Sequence, residues 1–278
     1  MSASMHHPTY CPLCGPDGDK NHFMRSGYDL VQCGCGLVFL NSLSQVMDVQ
    51  FYADAQQNQG GDAIEYWSFP AHFAKYQEIF YSFFAQRWGW LQEAKPDIRT
   101  LLDVGCGYGF FLEYLKNRVE VVHGLELDSK VATYAREHFG LNVESCRIEA
   151  FQPDVMFDCI VMCDVLEHVT DPVMVLKRCR DLLSPGGVLF LQVPNLIGFK
   201  LPWGHSWGLP HHIWQFGPKN LNRLVAQCGL TPFQWHTGVL GVIGVHERGG
   251  PSWRDKLIWS VANKLRLGNR LMVVAIKN

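Results

Sequence analysis

Two sets of residues in this 278-residue chain have the types and spacing to do chemistry. The first is Cys11-Pro-Leu-Cys14 and Cys33-Gly-Cys35, separated by 18 residues, with a glycine just beyond each pair at Gly15 and Gly36. Knuckles of this kind turn thiolates and backbone N–H groups toward one tetrahedral ion. Four sulfurs close the shell and leave no position for water, so the ion expected is a structural zinc. The second pair has one intervening residue instead of two, and His6, His7 and His22 are alternative ligands. A segment of about 40 residues has too little core to fold alone, and a metal supplies the missing free energy.

The second set is the run Leu101-Leu102-Asp103-Val104-Gly105-Cys106-Gly107-Tyr108-Gly109, with Glu126 lying 21 residues after Gly105. Glycines let a backbone turn sharply and approach a ligand closely. The spacing is G-x-G-x-G, and Phe110 stands where a dinucleotide fingerprint needs a small residue, which disfavours an NAD pyrophosphate. A carboxylate at Glu126 can accept both ribose hydroxyls of a nucleoside.

The elements that position these residues follow from the pattern. Thr100–Val104 reads as a strand ending at the glycine turn, Phe110–Asn117 as a helix, and Val121–Leu125 as a second strand ending at Glu126. Ser129–Phe139 is a helix closed by Gly140; Cys159–Met162 is a strand; Asp171–Leu183 is a helix with Asp171 as N-cap and Pro172 at its first position. A turn at Ser184–Gly187 leads to a strand over Val188–Val193. This βαβ rhythm predicts an α/β fold with a parallel sheet. Three regions follow: a zinc-binding module at 1–45, a helical lid or linker at 46–96, and a main domain at 97–278. The main domain carries a loop-rich insertion at about 196–217 and an amphipathic helix at about 252–267.

Composition bounds the function. Apolar residues are 47% and charged residues 18%, enough to bury a sizeable core. The 24 basic side chains nearly balance 26 acidic ones, so a whole-protein phosphate-binding surface is disfavoured. Met1–Tyr10 lacks the pattern of a secretory leader, and no apolar run approaches bilayer length, so the chain is expected in the cytoplasm with its ten cysteines reduced.

Four stretches carry a resemblance: LLDVGCGYG at 101–109, GLELD at 124–128, FDCIVMCDVLEHVTDP at 157–172 and LLSPGGVLFLQVPN at 182–195. Over about residues 97–235 the chain resembles the class I S-adenosylmethionine-dependent methyltransferases. It looks most like the small-molecule type with an N-terminal four-cysteine zinc segment, met in sugar, polysaccharide and natural-product pathways. The resemblance implies a Rossmann-like seven-stranded sheet and S-adenosylmethionine as donor. It places Asp103, Gly105 and Gly107 along the donor's methionine moiety, Glu126 on its ribose, Leu127 on its adenine and the Ile148 backbone at the adenine edge. Met162, Cys163 and Asp164 would line the donor side. An acid is usual where Arg147 stands here, a departure from the family pattern.

Transfer of the methyl to a hydroxyl needs a base, and histidine is the natural one near neutral pH. The candidates are His212, in a His-x-x-x-Phe segment after the fifth strand, and His168, after the fourth, with His211 and His205 behind them. His168 has an architectural role as its alternative. Trp203, Trp207 and Trp214 sit on a glycine- and proline-rich stretch and suit stacking on a ring or sugar. Phe73, Tyr76, Phe80, Phe83, Phe84 and Trp88 follow helical spacing and form either a packing face or a lid. Residues 249–278 hold six Lys/Arg and one acid, and Trp253, Leu257, Ile258, Val261 and Leu265 share a helical face. Such a helix packs on the core or lies on an anionic membrane. The expected function is O-methylation of a small molecule. The alternatives are an RNA base methyltransferase with an N-terminal zinc module, disfavoured by charge, and a non-catalytic binding protein on a decayed fold.

Overall fold

A computed structural model describes residues 10–41, 70–198, 207–238 and 252–278. The chain begins with three antiparallel strands, β1 (Lys20–Arg25), β2 (Tyr28–Cys33) and β3 (Val38–Leu40), and two helices, α1 (Pro70–Lys75) and α2 (Gln77–Ala94). The alternating unit follows: β4 (Thr100–Val104), α3 (Phe110–Leu115), β5 (Val121–Leu125), α4 (Ser129–Phe139), β6 (Asn142–Glu144), β7 (Phe157–Cys163), α5 (Pro172–Leu182) and β8 (Leu183–Pro194). It closes with β9 (Trp214–Gln215), α6 (Pro218–Gln227), β10 (Thr231–Gly238), α7 (Trp253–Lys264) and β11 (Arg270–Ile276).

Local chemistry sets the helix ends. The Asp128 carboxylate accepts from Lys130 N at 2.8 Å and Val131 N at 3.3 Å, opening α4, and Gly140 closes it at a φ of 66°. Asp171 accepts from Met174 N at 2.9 Å and Pro172 opens α5. Pro96 lies just beyond α2 and forbids its continuation.

The main sheet has seven strands in the order β10-β11-β8-β7-β4-β5-β6. The strands from β8 to β6 are parallel, and β11 runs antiparallel between β8 and β10. This is the Rossmann-like seven-stranded arrangement expected. Chain order reverses beside β4: one crossover leads to β5, a later one to β7 on its other side. Ligands of open α/β sheets bind at that switch, outside the carboxyl ends of the strands. Helix α2 packs its aromatics on one face, with Phe73 of α1 stacked on Phe110 at 4.0 Å and Phe84 at 5.3 Å from Phe111. Helices α5 and α6 bury Leu176, Leu221, Leu224 and Val225 in a second core on the other face.

Two departures from expectation have physical causes. Ser184–Gly187 is drawn into β8 rather than forming a free turn, because Gly186 N donates to Lys277 O at 2.8 Å and Lys277 N to Gly187 O at 2.9 Å. Strands β6 and β10 carry weak signals: the first has three residues, and the second is an edge strand bulged beside Pro232. The apolar row of α7 faces solvent, with Trp253, Leu257, Val261 and Leu265 exposed by 70, 56, 42 and 61%; Ala262 is buried. No helix among the described residues is long and apolar enough to cross a membrane.

The N-terminal strands form a second sheet, β1-β2-β3-β9, whose last strand comes from residues 214–215. Phe39 lies 5.4 Å from Trp214, and Leu30, Leu37 and Phe39 share a continuous core with the main sheet. Residues 1–9, 42–69, 199–206 and 239–251 lie outside the described set, and with them His6, His7, Trp203, His205 and part of the expected lid.

Candidate functional site

Most of the candidate residues lie at or just beyond the carboxyl end of a parallel strand, which gathers them at the switch point. The turn after β4 holds Gly105, Gly107 and Gly109 at φ of 73°, 55° and 79°, a region open to glycine and costly for other residues. A Cβ on Gly105 would come within 2.4 Å of Val165 Cγ2, and one on Gly109 within 2.6 Å of Leu141. On Gly107 it would meet nothing within 4 Å, so that backbone faces open space.

Glu126, just past β5, leans over this turn. Its Oε2 accepts from Gly107 N at 2.9 Å and its Oε1 from Asp128 N at 3.0 Å. Burial raises its pKa, and backbone N–H donors pull it back toward the ionised form. The carboxylate is thus held in one orientation, with lone pairs left to accept further hydrogen bonds. Leu127 beside it is 43% exposed, and Ile148 is buried. Asp103 is also buried, and desolvation pushes its carboxyl up to about 7 against the pull of Arg87.

After β7 the geometry tightens. Met162 is wholly buried in the core, whereas Cys163 and Asp164 are partly exposed. Asp164 adopts a φ of 54°, rare for a residue with a side chain, and such strain clusters at functional sites. Gln192 Nε2 donates to its Oδ2 at 2.7 Å, and Arg270 Nε lies 2.9 Å from its Oδ1. Arg87 of α2 reaches Gln192 Oε1 at 3.5 Å. Arg87, Gln192 and Arg270 were not foreseen. They lie far apart in sequence, and β8 and β11 bring two of them beside Asp164.

One turn further on, His168 N donates to Val165 O at 2.9 Å. The His168 ring Nδ1 lies 2.9 Å from the His211 carbonyl and donates to it, which leaves Nε2 as the basic nitrogen. Burial holds the His168 pKa down at about 4, so the ring is neutral near pH 7. His168 and His212 meet edge to face with centroids 4.7 Å apart. The His212 ring folds over Gly208, where a Cβ would come within 2.2 Å of Nδ1. Ile213 N and Trp214 N both donate to the Glu167 carbonyl, at 2.8 and 3.2 Å, locking the segment around His212 to the loop after β7. The two expected bases are therefore one unit. Glu167, which the sequence reading passed over, is buried beside them, and desolvation next to Asp164 pushes its carboxyl well above the usual range.

Other expectations fall elsewhere. Trp214 is buried, with Nε1 donating to Val169 O at 2.7 Å, so it joins two segments and offers no stacking face. Trp207 carries the Arg25 guanidinium 4.0 Å from its ring centroid. The sulfurs of Cys11, Cys14, Cys33 and Cys35 all lie within 4.8 Å of one another, and those of Cys11 and Cys35 are 3.6 Å apart. A tetrahedron with Zn–S bonds of about 2.3 Å has edges of roughly 3.8 Å, so the donor set fits zinc. Gly15 N and Gly36 N close the two knuckles onto Cys11 O and Cys33 O at 2.9 and 2.8 Å. His22 points instead toward Asp29, 3.6 Å away.

The family model described as "Methyltransferase domain" matches residues 50–234. A ubiquinone biosynthesis O-methyltransferase of Coxiella burnetii is 35% identical over 103 residues, covering 35% of this chain and 44% of that protein. One of Paracidovorax citrulli is 29% identical over 153 residues, covering 45% of this chain and 62% of that protein. The chain thus spans less than two thirds of the length of these relatives. A solved S-adenosylmethionine-dependent methyltransferase of Archaeoglobus fulgidus superposes with a TM-score of 0.52 at 17% identity, covering 74% of this chain and 97% of that one. That likeness is one of fold.

Proposed function

Since this chain belongs to the methyltransferase-domain family, we propose that it moves a methyl group from S-adenosylmethionine to a hydroxyl of a small molecule. The observation that carries the reading is Glu126, oriented by two backbone N–H groups over a turn of three left-handed glycines at the sheet's switch point. That pairing suits a nucleoside with a chain extending along the turn. The O-methyltransferase relatives support oxygen as the methylated atom.

When bound, S-adenosylmethionine supplies a methyl made electrophilic by its sulfonium. In this reading Glu126 takes the ribose hydroxyls, Leu127 and the Ile148 backbone flank the adenine, and Asp103, Gly105 and Gly107 border the methionine end. Cys163 and Asp164 form the wall between donor and acceptor, with Met162 behind them. These residues would hold an acceptor oxygen in line with the methyl carbon and the sulfur of the bound donor, the arrangement a displacement at that carbon needs. In this reading the hydroxyl's proton leaves toward His212 or His168, whose rings meet edge to face at 4.7 Å. Holding the reactants in line and excluding water provide the remaining acceleration.

The same reading makes residues 1–45 a module around one structural zinc on Cys11, Cys14, Cys33 and Cys35. Residues 46–96 form a lid or linker, and 97–278 the transferase domain. Incubation with methyl-labelled donor and three acceptor pools tests the proposal: hydroxylated small molecules (sugar nucleotides, phenols, lipid-linked glycans), bulk RNA, and no acceptor. Label in the first pool is expected. Label confined to RNA would replace the small-molecule reading, and no donor binding at all would favour a decayed fold.

A further inference from the structure

The segment that carries His212 has little of its own to hold it. Strand β9 is two residues long, and even an isolated pair of strands is marginal in water. Two neighbours hold it instead. One is the loop after β7, where the Glu167 carbonyl accepts from Ile213 N at 2.8 Å and Trp214 N at 3.2 Å. The other is β3 of the N-terminal sheet. Val38 and Phe39 pair with Gln215 and Trp214, and Leu40 N donates to Ile213 O at 3.1 Å.

Side chains extend this hold along the segment. Phe39 is buried with its ring 5.4 Å from that of Trp214. Gln215, fixed opposite Val38, donates from Nε2 to Trp207 O at 2.9 Å and to His212 O at 3.1 Å. The Arg25 guanidinium covers the Trp207 ring at 4.0 Å, and Phe23 meets that ring edge to face. The N-terminal sheet thus grips both ends of residues 207–215. The cysteine cluster governs the grip. Cys33 ends β2, and the second knuckle is the turn into β3, closed by Cys33 N donating to Leu37 O at 2.9 Å. Without an ion the four sulfurs have nothing to draw them together, and metal binding and local folding are one equilibrium.

We propose that the N-terminal sheet is a clamp on the acceptor side of the crevice. With the cysteine cluster closed on its metal, β3 holds residues 207–216 so that His212 and the His211 carbonyl stay against His168. Opening the cluster frees that segment and leaves the donor side as it was. The reason for the split is topological: the glycine turn and Glu126 follow β4 and β5, strands of the other sheet. Phe39 and Arg25 are positioning residues, acting through Trp214 and Trp207. The effect on turnover rests on the proposed function; the clamp does not.

Hydrogen–deuterium exchange of the full zinc-loaded chain tests it, with donor affinity and turnover followed alongside. In Phe39→Ala, residues 207–216 should exchange at least about tenfold faster while residues 100–126 keep their protection. Turnover should fall by up to about 100-fold, the cost of misplacing a group by roughly 1 Å, with the dissociation constant for S-adenosylmethionine within about twofold of the parent. Phe39→Leu, which keeps an apolar side chain against Trp214, should restore most of both. Chelation of the parent should reproduce the Phe39→Ala exchange pattern. Zinc content and thermal unfolding check that the variants fold. If Phe39→Ala does not, Arg25→Ala at an exposed position carries the test through faster exchange at residues 207–212. Unchanged exchange at 207–216 in the folded variants and after chelation overturns the clamp, as does equal loosening of 100–126. Faster exchange at 207–216 in a chain whose parent methylates nothing would remove the transferase reading and leave the clamp standing. Faster exchange with undiminished turnover would remove its control of the reaction alone.

Discussion

At the scale of residues, Glu126 and Asp103 are two carboxylates a few ångströms from one turn with opposite duties. Glu126 is held by backbone N–H groups with lone pairs to spare. Glu126→Ala should therefore weaken S-adenosylmethionine binding by about 1.5–3 kcal/mol, roughly 10–150-fold, in isothermal titration. An unchanged dissociation constant removes it from the ribose. Asp103 is desolvated, with its pKa raised to about 7. A carboxyl raised in the folded state stabilises fully below its unfolded pKa of about 3.9, and that stability is lost as pH rises through 7. Asp103→Asn should thus be more stable than the parent at pH 8, by about 4 kcal/mol at most and seen as a higher melting temperature, with the gap narrowing as pH falls and closing below about pH 4. Parallel melting profiles would show that Asp103 ionises freely. Both residues were legible in the sequence, because a strand, a turn and an acid lie within 24 residues of one another. Gln192, Arg87 and Arg270 were not. The approach of Gln192 and Arg270 to Asp164, and of Arg87 to Gln192, depends on which elements become neighbours, and no local pattern encodes that. Glu167 was passed over inside Leu-Glu-His-Val because its burial is set by residues 211–214, far along the chain.

At the scale of elements, the parallel core could be read almost strand for strand, since its apolar runs are punctuated by capping Asp, Pro and Gly. Strand β6 is too short to show a period, and β9 exists only because Trp214 and Gln215 pair with Phe39 and Val38. That pairing ties the N-terminal sheet to the segment carrying His212. The four cysteines and their glycines fix the two knuckles, so one tightly held zinc per chain is expected by elemental analysis. Chelation should expose the β1–β3 region to proteolysis while leaving donor affinity largely intact, because Glu126 and the glycine turn lie on the other sheet. Absence of metal, or loss of donor binding on chelation, would count against a purely structural ion.

At the scale of the whole molecule, net charge is near balance, yet the last 30 residues carry six basic side chains and one acid. Core packing and surface contact were both open for α7 in the sequence, and the exposed row Trp253, Leu257, Val261, Leu265 favours the second. Co-sedimentation with phosphatidylglycerol vesicles but not phosphatidylcholine is expected, falling as salt rises and lost in Leu257→Asp. A protein left in the supernatant with both lipids has no such contact. The central claim is narrower: the crevice where chain order reverses beside β4 is a site for a sulfonium nucleoside. Calorimetry of the intact chain with S-adenosylmethionine measures it directly. One saturable site per chain, competed by the demethylated thioether product and not by NAD, is the predicted result; the absence of a site, or preference for NAD, would contradict the account.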